Sequence, residues 1–152
     1  MDTTPVTLAA TSFSESNPAI SRDGRWLAYS SNETGRYEVY VVPFPNAKAA
    51  KWPISSGGGS EPVWAHNGHE LFYRDAGGKM IVVDFHGTPT FSAGTPKVLF
   101  SAREYITGPS HRQYDISPDD RRFLMLRTRD TGARDNIIVV ENWFEELKAK
   151  SK

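Results

Sequence analysis

Asn17-Pro18-Ala19-Ile20-Ser21-Arg22-Asp23-Gly24-Arg25-Trp26-Leu27-Ala28-Tyr29 recurs twice further along the chain. The second copy is Glu61-Pro62-Val63-Trp64-Ala65-His66-Asn67-Gly68-His69-Glu70-Leu71-Phe72-Tyr73, and the third is Gln113-Tyr114-Asp115-Ile116-Ser117-Pro118-Asp119-Asp120-Arg121-Arg122-Phe123-Leu124-Met125. Gly24 to Gly68 is an offset of 44 residues, and Gly68 to Asp120 is one of 52. A shorter apolar phrase follows each copy: Val39-Tyr40-Val41-Val42, Met80-Ile81-Val82-Val83 and Ile137-Ile138-Val139-Val140.

Each copy makes sense as a β-hairpin. Asp23-Gly24 and Asn67-Gly68 are strong two-residue turn signals, because glycine accepts positive φ and Asn or Asp tolerates it. Asp119-Asp120 is a weaker form of the same turn. The stretches after the turns, 26–30, 71–74 and 123–126, are apolar on both alternating faces. A strand with one wet face would alternate apolar and polar, so these strands are expected to be sandwiched between neighbouring sheets. Repeats of this length built from strands are propeller blades.

The reading is therefore an all-β chain of three four-stranded β-propeller blades, half of a six-bladed propeller, with a short C-terminal helix. A single propeller fragment spans 1–152. Residues 5–10 form a closing strand, 17–56 the first blade, 60–102 the second and 112–141 the third, and 142–150 the helix. In the first two blades the fourth strands fall at 51–54 and 97–100, while the third blade has no fourth strand of its own. Asn142 can cap the helix, and Trp143, Phe144 and Leu147 give it an apolar side to dock on the blades.

Composition narrows the function. Eighteen Lys and Arg balance eighteen Asp and Glu, which argues against a nucleic-acid partner. The basic stretch at Arg121, Arg122, Arg127, Arg129 and Arg134 is interleaved with Asp119, Asp120, Asp130 and Asp135. Cysteine is absent, which removes disulfides and thiolate chemistry. Apolar runs stop at about five residues, far short of the ~20 that span a bilayer, so no membrane segment is expected. Met1-Asp2-Thr3-Thr4-Pro5 carries neither the basic nor the apolar region of a signal peptide.

Several local patterns invite chemistry and have plainer explanations. His66 and His69 have metal-ligand spacing, but they straddle a hairpin turn, where Arg22 and Arg25 stand in the first copy; no metal site is expected. Gly57-Gly58-Gly59-Ser60 lacks the following helix and the Gly-Lys-Ser/Thr of a phosphate loop, and reads as a flexible connection. No Gly-x-Ser-x-Gly elbow occurs. No catalytic residue and no cofactor are expected.

The phrase Pro-x-apolar-Ser-x-Asp-Gly-x-x-Leu-x-Tyr, followed by an apolar third strand, resembles the TolB-type or WD-repeat-like propeller blade. Residues 17–31, 61–73 and 91–100 and the ending Asn142-Trp143-Phe144-Glu145-Glu146-Leu147 are similar to the C-terminal propeller end of bacterial serine/threonine kinases. His66-Asn67 stands where Pro-Asp is usual in such blades, and Asp120 where Gly is usual. The resemblance implies a sensor or scaffold module, and for the parent kinases a place outside the cytoplasm. None of the kinase motifs is in this sequence.

In such a propeller, ligands meet the loops entering the innermost strands, here 12–17, 57–61 and 107–113. Glu15, Asn17, Glu61, Arg74, His111 and Arg112 are the candidate ligand-binding residues of that rim. The favoured function is a non-catalytic module that binds a peptide or a small polar ligand. The rival is a propeller-fold hydrolase or lyase using His111 with Glu15 or Glu61 as acid and base; a further alternative is a fragment with no independent function. Three blades do not close a ring, and propellers close with about four to eight. The expected partner is a second copy, a homodimer in which residues 5–10 of each chain complete the third blade of the other.

Overall fold

The computed structural model describes residues 5, 7, 8, 11–87, 90–108, 111–127 and 136–140. Among the described residues, twelve strands alternate with turns in three antiparallel sheets. The first sheet runs β1 (Glu15–Ile20), β2 (Trp26–Ser31), β3 (Glu38–Pro43), β4 (Trp52–Pro53). The second contains β5 (Gly59–Trp64), β6 (Glu70–Asp75), β7 (Lys79–His86), β8 (Ser92–Ala93) and β9 (Lys97–Ser101). The third has β10 (Tyr114–Ile116), β11 (Phe123–Arg127) and β12 (Asn136–Val140).

This corrects the expected three four-stranded blades and half-propeller. The sheets have four, five and three strands, and none is closed into a barrel. The extra strand of the second sheet arises because β7 runs eight residues against six in β3. Its outer edge is long enough to pair β9 along Lys79 to Val82 and β8 at Phe85 and His86. In the first sheet the outermost strand shrinks to two residues; Pro53, with no N–H to donate, is tolerated there because the strand is an edge. No helix occurs among the described residues, and none there is long and apolar enough to cross a membrane. The helix expected at 142–150 lies outside the described residues. Of the strand expected at 5–10, Pro5, Thr7 and Leu8 are described, and none of these lies in a strand.

The two-faced burial read from the sequence holds in β2 and β6, where it stacks the sheets, but not in β11, where Leu124 is exposed. Trp26, Ala28, Val39 and Val41 of the first sheet pack against Trp64, Leu71, Tyr73, Ile81 and Val83 of the second. The opposite face of the second sheet, through Val63, Phe72, Met80 and Val82, packs on Tyr114, Ile116, Phe123 and Met125 of the third. Phe72 meets Phe123 edge-on across that interface, with ring centroids 5.2 Å apart. A fully buried aromatic or large aliphatic side chain contributes roughly 1.5–3 kcal/mol, so these two apolar layers are the main cohesive term.

Candidate functional site: the loop rim

The rim begins with an irregularity built into the repeat. Asn17-Pro18 and Glu61-Pro62 occupy equivalent positions, and the register of β1–β2 and β5–β6 slips at each of them. Proline cannot donate to a ladder, so the inner strand bulges around it. The residue before each proline takes a left-handed conformation, with φ 52° at Asn17 and 57° at Glu61. Asparagine adopts this readily; for glutamate it costs on the order of 1–2 kcal/mol and must be held by other contacts.

Those contacts are present. The Glu61 side chain is fully buried. Its carboxylate accepts hydrogen bonds from the Thr107 hydroxyl at 2.8 Å, the Gly108 N–H at 3.0 Å and the Gln113 N–H at 3.3 Å. The Tyr114 hydroxyl donates to the Glu61 carbonyl at 2.7 Å. Arg74, equally buried, brings its Nε to 3.7 Å from the carboxylate, and its Nη1 donates to the Tyr105 carbonyl at 3.2 Å. Its Nε and Nη2 have no hydrogen-bond partner. Glu61 thus ties the second sheet to the loop that enters the third. Burial, followed by the charge of Glu61, pushes the Tyr114 phenol well above its ordinary range, so it stays a donor.

A second carboxylate does the same work between the first two sheets. Buried Glu38 accepts the Ser55 hydroxyl, the Gly57 N–H at 2.9 Å, the Gly58 N–H at 2.8 Å and Arg36 Nε at 3.0 Å. Gly57 and Gly58 lie at φ 96° and 109°, which aims successive N–H groups at one anion. The glycine loop is an anion cradle after all, and the anion is the chain's own. At the opposite end of the sheets, Asp120 accepts from the backbone N–H groups of His66 and Asn67 and lies 2.9 Å from His66 Nδ1. His66 is therefore engaged with a carboxylate. Among the described residues no group of three or more His, Cys, Asp or Glu is placed to hold a metal ion.

The six rim candidates thus separate into three kinds. Glu61, Arg74 and Asn17 are buried. Glu15, half-buried at the start of β1, accepts from the Thr11 hydroxyl. His111 and Arg112 are exposed, and Arg112 pairs with Asp115 at 3.4 Å. Between the entering loops lies a cleft of about 270 Å³ lined by Arg36, Tyr37, Ser60, Ala76, Thr107 and Gly108, among others. Sequence reasoning missed Glu38, Thr107, Tyr114 and Asp120 as the residues that organise the rim and its opposite end. Only Asp120 carried a signal, as an acidic residue where the other copies have glycine.

No protein-family model matches the chain, and no curated protein matches it in sequence. Solved structures match it in fold. The crystal structure of TolB from Acinetobacter baumannii is similar with a TM-score of 0.56 and 15% identity, over 84% of this chain and 30% of that one. A putative TolB from Agrobacterium tumefaciens gives 0.58 and 11%, over 88% and 47%. Oligogalacturonate lyase from Vibrio parahaemolyticus gives 0.59 and 12%, over 84% and 33%. The chain spans between about a third and a half of the length of these structures. At such identities the likeness is one of architecture, and it agrees with the repeat and the stacked sheets: the chain has a TolB-like, propeller-type β-sheet fold.

Proposed function

We propose that the chain is a non-catalytic interaction module of the propeller type. Its rim cleft takes a peptide or small polar ligand, and it assembles with a second copy in which residues 5–10 add to the three-stranded third sheet. One observation carries this reading. Glu61, one of the two rim carboxylates that the rival reading would use as acid or base, is fully buried and accepts three hydrogen bonds that hold the next loop. A general acid or base must reach a substrate proton, and Glu61 reaches backbone N–H groups, a structural hydroxyl and the buried Arg74. What the rim offers a ligand is the mouth of the cleft, with the hydroxyls of Tyr37 and Ser60 and the guanidinium of Arg36.

The likeness to an oligogalacturonate lyase as well as to TolB makes an activity screen the necessary counterpart of a binding screen. Panning a random peptide library against the full chain, followed by amide-shift mapping of a selected peptide, is expected to place the perturbations at Arg36, Ser60 and Gly108. Saturable hydrolase or lyase turnover that disappears in His111→Ala would overturn the proposal.

A further inference from the structure

The two ends of the stack carry matching defects. Ile20, Trp64 and Ile116 hold the same repeat position; Trp64 and Ile116 are 7% and 6% exposed, each facing the preceding sheet, whereas Ile20 is 52% exposed. The rest of that face is buried, but under a different cover. Leu27 and Tyr29 are equivalent to Leu71 and Tyr73, and Tyr40 and Val42 to Ile81 and Val83. All four of those counterparts lie against the first sheet. On the first sheet the same four positions form a buried cluster of their own, closed not by a sheet but by the partly buried Leu8, Phe44 and Ala47. A groove of about 570 Å³ remains between Leu8 and the floor of Leu27, Tyr29 and Val42.

At the other end the converse holds. Ala28, Phe72 and Leu124 share one position that faces the following sheet; Ala28 and Phe72 are 0% exposed and Leu124 is 41% exposed. Among the described residues, the first sheet thus offers a seat for a preceding sheet, and the third turns Leu124 outward on a face that no described sheet covers. Both are continuous with an interface that the chain already builds twice. Resting on the self-assembly part of the function proposed above, we infer that the Leu124 face of one copy docks on the Ile20–Leu27–Tyr29 face of another, displacing Leu8. The contact is head-to-tail, so it repeats the internal sheet-to-sheet packing and uses two different surfaces rather than one surface twice. Burying apolar faces of this kind is also what keeps the ends of a repeat stack soluble.

Because Ile20 and Leu124 are exposed, Ile20→Glu and Leu124→Glu leave the folded chain intact, which circular dichroism verifies. Light scattering on the full chain is expected to give a multiple of 17.0 kDa, and each variant alone is expected to fall to 17.0 kDa. Mixing the two variants restores a dimer, because each retains the face that the other lacks. A full chain that stays at 17.0 kDa at every concentration, or a mixture that stays monomeric, overturns the inference. Assembly that survives both substitutions but is lost on deleting residues 1–10 would leave strand exchange standing and remove face docking.

Discussion

The hydroxyl of Tyr114 donates to the backbone carbonyl of Glu61 at 2.7 Å, from the third sheet to the bulge that opens the second. That bond needs a neutral phenol, and burial followed by the charge of Glu61 keeps it neutral far above the ordinary range. Tyr73, in the interface between the first two sheets, is pushed up to about 12, mainly by burial. A phenol whose folded pKa is raised stabilises the fold fully below the unfolded value of about 10, and the stabilisation is lost as pH rises through the folded value. Denaturant titrations are therefore expected to show constant stability near neutrality and a decline beginning above pH ~10. Tyr114→Phe costs about 1–2 kcal/mol at pH 7 and makes the alkaline decline shallower. An alkaline profile unchanged by the substitution would contradict the assignment.

Asp120 stands where Gly24 and Gly68 stand in the other copies, and it adopts φ 57° without being glycine. Asp120→Gly relieves roughly 1–2 kcal/mol of backbone strain. It also removes the carboxylate that binds two N–H groups of the neighbouring turn, and hydrogen bonds to a charged group contribute about 1.5–3 kcal/mol each. The loss is larger than the relief. Chemical denaturation is expected to find Asp120→Gly less stable by about 1–5 kcal/mol, although it restores the residue that the turn prefers.

The glycines differ in the same measurable way. Gly24 and Gly58 both have positive φ, but a Cβ on Gly24 meets nothing within 4 Å, while one on Gly58 would lie 2.5 Å from the Cβ of Ala76. Gly24→Ala is expected to cost about 1 kcal/mol through conformation alone. Gly58→Ala adds a clash and shifts the N–H that binds Glu38, for about 3 kcal/mol or more. Equal melting temperatures for the two variants would argue against the cradle around Glu38.

The stacking of the sheets was legible because it rests on short-range grammar. Asp23-Gly24 and Asn67-Gly68 mark the turns, and the runs at 26–30 and 71–74, apolar at successive positions rather than alternating, tell that both faces are dry. The strand count was not legible. β8 exists because β7 overruns its neighbour, and nothing in Ser92-Ala93 by itself signals a strand. The rim was legible only as a location. That Glu61 would turn inward, while exposed His111 would not, follows from the bulge at Pro62 and from donors about 46–52 residues away, at Thr107, Gly108 and Gln113. Glu38 was invisible for the same reason: its partners are brought to it by the fold.

The most direct test is the thermal unfolding of Glu61→Ala, recorded beside a hydrolase and lyase assay of the same samples. If Glu61 is the tie between the second and third sheets, its loss leaves buried Arg74 without a counter-charge and three donors without an acceptor. Breaking a buried pair costs about 3–5 kcal/mol. At roughly 2–4 °C per kcal/mol for a domain of this size, the melting temperature is predicted to fall by about 6–20 °C, with no turnover to lose. An unchanged melting temperature, together with a saturable activity present in the wild-type chain and absent from the variant, would make Glu61 a catalytic residue and contradict the account.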